Sequence, residues 1–191
     1  GGLAGDALTD ADFNVVVGYN SLTTDTMGSQ SVAIGSGALY TQNFTTATDS
    51  YNTAVGADAG NKVTTGIRNT LLGGRAGDAL TDADQNVAVG VDALTSDTLG
   101  SKSVAIGYDA LGAADSGEDY NVAIGYQAGN SLDGTSSAQN VIIGYNAGQS
   151  GGATFRYNVA IGANALNSTA ANQNTEGQVA VGYNALTALT T

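Results

Sequence analysis

The sequence predicts an all-β parallel solenoid, and three observations carry that prediction. A short apolar burst closed by glycine recurs about eleven times, the spacing is close to 17 residues, and the bursts are rich in Val and Ile. Read in order they run Asn14–Gly18, Ser31–Gly35, Asn52–Gly56, Asn69–Gly73, Asn86–Gly90 and Ser103–Gly107. They continue as Asn121–Gly125, Asn140–Gly144, Asn158–Gly162 and Gln178–Gly182, after a clipped first copy at Gly1. Self-similarity at a fixed short period means units that bury their apolar faces only against their neighbours. The closing glycines stand 17 to 21 residues apart, too close for a helix pair or a propeller blade but suited to one solenoid coil. Bursts this short, β-branched and bounded by Asn and Gly mark strands. Ten to eleven coils at about 4.8 Å each make a rod on the order of 50 Å long.

Alternation divides each burst between two faces. With Val15 and Val17, Val32 and Ile34, Val122 and Ile124 pointing into the coil, the middle residues point outward: Val16, Ala33, Ala54, Leu71, Ala88, Ala105, Ala123, Ile142, Ala160 and Ala180. None of these ten is polar, whereas a strand facing water alternates apolar with polar. The row is therefore the expected subunit interface, covered by another copy of the chain.

Three places after each closing glycine stands a small residue, and the next position reads Gly5, Leu22, Leu39, Gly60, Gly77, Leu94, Leu111, Gly129, Gly148, Leu166, Leu186. This four-coil rhythm, with Gly1–Leu39 matching Gly73–Leu111 at an offset of 72, predicts cassettes over about 1–72, 73–144 and a partial 145–191. All of them belong to one solenoid domain, 1–191. In the Gly-type coils Leu8, Val63, Leu80 and Leu132 are placed to fill the missing leucine's space, and two turn shapes are expected to alternate. The leading Asn tolerates turns and, stacked in register, can form a hydrogen-bonded ladder. Because the chain begins in mid-motif, it reads as a segment of a longer fibre.

Composition narrows the function. Seventeen acidic and five basic residues give a net charge of −12, which disfavours nucleic acid and anionic membranes as partners. No apolar run reaches the roughly 20 residues of a membrane helix. Without His or Cys, no usual triad, thiol nucleophile or zinc site can be built, so no catalytic, cofactor-binding or metal residues are expected. Paired carboxylates at Asp10/Asp12 and Asp82/Asp84 are the nearest catalytic or Ca²⁺-binding candidates, and solvated turn carboxylates are the preferred reading of them. A polysaccharide-cleaving β-helix is correspondingly weak. So is an ice-binding solenoid, since Thr clusters in loops such as Thr23–Thr26 and Thr45–Thr48 rather than once per coil.

Tyr108, Tyr126 and Tyr145 share one position in three successive coils, with Tyr19 and Tyr183 at the same position elsewhere. Such a ladder is a candidate glycan-binding strip, or else it covers a coil edge or subunit contact. Tyr40, Phe44, Tyr51, Tyr120, Phe155 and Tyr157 lie in or beside the inserts 40–51, 113–120, 130–139 and 149–157, where loops break the period and recognition is most expected.

The recurring Asn-Val-Ala-Ile-Gly burst, with Tyr183-Asn-Ala-Leu186 after it, resembles the head repeats of YadA-like trimeric autotransporter adhesins, and similar repeats in phage tail fibres. The resemblance covers the whole chain. It implies a left-handed parallel β-roll, a homotrimer packed through small outward residues, and an extracellular attachment role. For a tail fibre on the virion that role is spacing or presenting a host-receptor binding site, the favoured reading. For an adhesin head on the bacterial surface it is binding host cells or matrix. The coils here are longer than the tightest adhesin repeats, which implies larger loops.

Overall fold

The computed structural model describes residues 1–114, 119–132, 137–149, 154–167 and 174–187. Within them the chain is an all-β parallel solenoid of about eight turns, with no helix. Eight is fewer than the ten to eleven coils that counting bursts suggests. Each complete burst supplies a three-residue strand, from Val15–Val17 and Val32–Ile34 through to Val159–Ile161 and Val179–Val181. All ten stack in chain order into one parallel sheet. The pairing keeps equivalent residues together, as in Val104↔Val122, Ala105↔Ala123 and Ile106↔Ile124. Two short pairs lie outside this wall: Gly28–Ser29 with Thr48–Asp49, and Phe155–Arg156 with Thr175–Glu176.

The structure reverses the two faces of the burst. Ala33, Ala54, Leu71, Ala88, Ala105, Ala123, Ile142 and Ala160 are completely buried within the single chain, Ala180 is buried, and Val16 packs partly buried against the same core. These ten middle residues face the coil interior and are not available to a second subunit. The residues that flank them, expected inside, are half-buried or exposed. Volume is the reason. The interior is a narrow column closed on the far side by Leu22, Leu39, Leu94, Leu111 and Leu166, all fully buried. One leucine and one alanine fill a coil, and two β-branched residues would overfill it.

Leu71 and Ile142, the large members of the middle row, follow the same rule. They sit where the opposing leucine is replaced by glycine: an added Cβ on Gly60 or Gly77 would stand 2.7 Å from a Leu71 methyl, and one on Gly148 would stand 2.9 Å from Ile142. Val63, Leu80 and Leu132 are fully buried beside them, and Leu8 packs against the core as well. The alternation is therefore one of filling. It is not one of turn shape, because leucine and glycine at this position adopt the same left-handed conformation, φ 46° at Leu22, 54° at Leu94, 60° at Gly60 and 59° at Gly77. A left-handed leucine costs about 1–2 kcal/mol, which its burial, about 1.5–3 kcal/mol, offsets.

The closing glycines form a column in which only glycine fits. At Gly18, Gly35, Gly56, Gly73, Gly90, Gly107, Gly125, Gly144 and Gly162, φ lies between 129° and 142°. A Cβ on any of them would approach the carbonyl oxygen of the next glycine to 2.3–2.5 Å. The leading residues form the second axial device. Asn86 is buried; its Oδ1 accepts from Ser103 N at 2.9 Å, its Nδ2 donates to Gly100 O at 2.8 Å, and its own N–H donates to Asn69 Oδ1 at 3.0 Å. Asn52, Asn69, Asn121, Asn140 and Asn158 repeat the pattern. The ladder runs mainly from side chain to backbone, so each buried asparagine in it satisfies a main-chain group of the next coil. Where serine replaces asparagine, at Ser31, a buried network of Asp25, Gln42 and Ser50 takes over.

Candidate interaction surface

A three-residue strand whose middle residue points inward presents its two outer residues together on the opposite face. Over ten strands these make two columns. One reads Val15, Val32, Thr53, Thr70, Val87, Val104, Val122, Val141, Val159, Val179, and the other reads Val17, Ile34, Val55, Leu72, Val89, Ile106, Ile124, Ile143, Ile161, Val181. Two threonines are the only polar side chains among them, and no charge interrupts either column. Val179 and Val181 are each 66% exposed at one end of the sheet, and Val15 and Val17 are 49% and 55% exposed at the other.

Two rims flank this wall. On the leading side, just before the leading Asn or Ser, stand Phe13, Gln30, Tyr51, Arg68, Gln85, Lys102, Tyr120, Gln139 and Tyr157, all with φ between 51° and 62°. The Lys102 ammonium lies 4.9 Å from the centre of the Tyr120 ring and 3.2 Å from its hydroxyl, a hydrogen bond that holds the lysine pKa above its ordinary value. Gln30 Nε2 donates to the Tyr51 hydroxyl at 3.2 Å. On the trailing side, just after the closing glycines, stand the exposed Tyr19, Val91, Tyr108, Tyr126, Tyr145 and Tyr183, with the small residues Ser36, Ala57, Gly74 and Ala163 at the same position elsewhere. Apart from Leu3, Leu99 and Leu186, the large apolar side chains exposed among the described residues belong to this wall or its rims.

Nine sheet spacings of about 4.8 Å and a width of about five extended residues give an area on the order of 700 Å². Monomers rarely expose apolar patches beyond a few hundred Å², and a stable interface takes about 800 Å² from each partner. The row expected to be the subunit interface lies inside the coil, and the apolar face the chain exposes is the one its flanking residues form. The readable signal was complementarity, since the large strand residues Leu71 and Ile142 occur in coils whose opposing position is glycine, Gly77 and Gly148.

Tyr108, Tyr126 and Tyr145 do come together. Their rings stack with centroids 5.3 Å apart at each step and interplanar angles of 14° and 11°. Stacking turns their faces toward one another, so the inner faces of the ladder are closed to a sugar.

The carboxylate pairs sit on surface turns. Asp82 accepts hydrogen bonds from the hydroxyls of Thr64 and Thr65 at 2.6 and 2.7 Å, which hold its carboxyl below the usual carboxylate range. Asp84 Oδ1 accepts from Ile67 N at 2.8 Å. Asp10 and Asp12 are exposed, and no group of three or more acidic side chains among the described residues is placed to hold a metal ion. No helix of the described chain is long and apolar enough to cross a membrane.

Of the inserts, 40–51 folds onto the buried Asp25. Phe44 N and Gln42 Nε2 donate to its carboxylate at 3.0 and 2.6 Å, and Phe44 is buried. Phe155 is fully buried too, while Tyr51, Tyr120 and Tyr157 are about half exposed on the leading rim. Parts of the other three inserts, 115–118, 133–136 and 150–153, lie outside the described residues. No protein-family model, curated protein or solved structure matches this chain.

Proposed function

We propose that the chain is a segment of an extended attachment fibre that assembles with copies of itself through the Val/Ile wall. The observation that carries this reading is the wall itself: two columns of Val, Ile and Thr, broken only by Leu72 and free of charge, on a surface large enough to form a stable interface. Copies of the chain are the fitting partner because the wall repeats along the axis with the period of the coils, and only a partner of the same period meets every strand alike. The number three, and left-handed winding, follow from the resemblance to trimeric adhesin heads and tail fibres. A rod whose core is Ala, Leu and Gly, and whose repeated geometry is devoted to stacking, contributes length. We place it in a phage tail fibre on the virion, spacing or presenting a host-receptor binding site outside the cell, with the head of a bacterial surface adhesin as the alternative parent.

Sedimentation of the chain tests the reading. A trimer is expected, and Ile106→Asp with Ile124→Asp should release folded monomers, because both positions are on the surface and the coil interior is untouched. A monodisperse wild-type monomer sinks the proposal. Binding of the labelled assembly to bacteria, as opposed to animal cells or matrix, separates the two parents.

A further inference from the structure

The trailing rim ends in an interrupted ladder. After Tyr108, Tyr126 and Tyr145 the same column continues with Ala163 and then Tyr183. Register is unbroken through the interruption: Asn164 N donates to Tyr145 O at 2.9 Å, Asn184 N donates to Ala163 O at 3.0 Å, and the strands Val141–Ile143, Val159–Ile161 and Val179–Val181 pair in order. Tyr145 and Tyr183 are therefore two coils apart, about 10 Å by two sheet spacings, with one methyl group between them. The stacked part of the column shows that one ring occupies one step, 5.3 Å. Where Ala163 stands, a ring is missing. Tyr145, which borders the gap, is 54% exposed, against 45% at Tyr126 inside the ladder.

We propose that this gap is a binding slot for a neutral pyranose ring, held between Tyr145 and Tyr183 over Ala163. The C–H faces of a pyranose pack on aromatic faces, and here, unlike inside the ladder, two ring positions face an empty step. Hydroxyls project from the edge of a sugar ring, and Asn146, Asn164 and Asn184 each follow a member of the slot in the chain. Asn164 Nδ2 donates to Asn184 Oδ1 at 3.1 Å, and with Asn167 and Thr187 these two line an open recess of about 320 Å³. Amides and a hydroxyl both donate and accept, which is what a polyol requires.

The absence of local charge selects the ligand class. From residue 134 onward the sequence carries only Arg156 and Glu176, and these pair with each other at 3.0 Å. Nothing there matches a phosphate, a sulfate or an acidic sugar, and a net charge of −12 opposes nucleotides, the other planar ligands. The slot does not rest on self-association, since all its residues come from one chain.

The test is titration of the full chain with methyl β-glucopyranoside, methyl β-galactopyranoside and N-acetylglucosamine, followed by the aromatic proton signals of Tyr145 and Tyr183, with sedimentation in parallel. At least one sugar should shift both tyrosines saturably, with a dissociation constant of about 1–10 mM for a single ring, leaving Tyr19 unmoved. Ala163→Tyr continues the ladder and keeps the coil intact, and it should weaken binding at least tenfold; Tyr183→Ala should do the same by removing one side of the slot. The proposal is overturned if no signal saturates by about 100 mM, or if binding survives Ala163→Tyr. It is equally overturned if Ala163→Tyr changes the sedimenting mass without sugar binding in the parent, which would make a second copy's side chain the occupant. Saturable sugar shifts in a chain that sediments as a monomer would remove the fibre interface and leave the slot standing.

Discussion

Leu71 occupies the space that Gly77 leaves open: a Cβ built on Gly77 would lie 2.7 Å from a Leu71 methyl carbon and 2.8 Å from one of Leu80. One coil further on, Ala88 and Leu94 show the opposite arrangement, both fully buried. The core is thus a series of complementary pairs, large opposite small, repeated along the axis.

Because the pair shares one volume, its substitutions should couple. Leu71→Ala opens a cavity and is expected to cost about 3 kcal/mol, while Gly77→Leu forces a clash with Leu71 and Leu80. The double variant should be more stable than the two separate losses predict, by at least about 1 kcal/mol, read from urea unfolding followed by circular dichroism. Strict additivity would show that the two residues do not share a cavity.

The glycine column gives a contrast within one motif. At Gly107, with φ 134°, a Cβ would stand 2.3 Å from Gly125 O, whereas at Gly182, with φ 122°, nothing lies within 4 Å. Gly182→Ala should cost only its backbone strain, about 1–3 kcal/mol. Gly107→Ala must also push two coils apart and lengthen the hydrogen bonds on both sides. Thermal melts should show the larger loss at Gly107, and equal losses would mean that conformation alone, and not axial contact, demands glycine here.

Asp82 gives the acid limb of stability a specific contributor. The hydroxyls of Thr64 and Thr65 stabilise its ionised form and depress its pKa in the folded chain. A depressed carboxyl contributes stability that is present above its unfolded value, about 3.9, and is lost as pH falls through the folded value. Solvent exposure keeps the contribution small. Asp82→Asn should leave the melting temperature at pH 7 nearly unchanged and flatten its decline below about pH 4. An unaltered acid limb would remove Asp82 from the account, and altered assembly at pH 7 would contradict its placement away from the wall.

Repetition in the sequence was enough to determine the parallel stacking, the near absence of helix, the asparagine ladder and the filling roles of Val63, Leu80 and Leu132. Each of these depends only on what recurs from coil to coil, and period is a property of sequence. The identity of the outward face was not determined in that way. Alternation places Val122 and Ile124 together and Ala123 opposite them, and it says nothing about which side closes into the coil. The return path decided the matter by bringing a leucine or glycine column across a space wide enough for alanine and too narrow for two β-branched residues. The same step stacked Tyr108, Tyr126 and Tyr145 face to face and left Ala163 between Tyr145 and Tyr183, because a ring's neighbours along the axis are set by register through residues some 18 to 20 positions away in the chain.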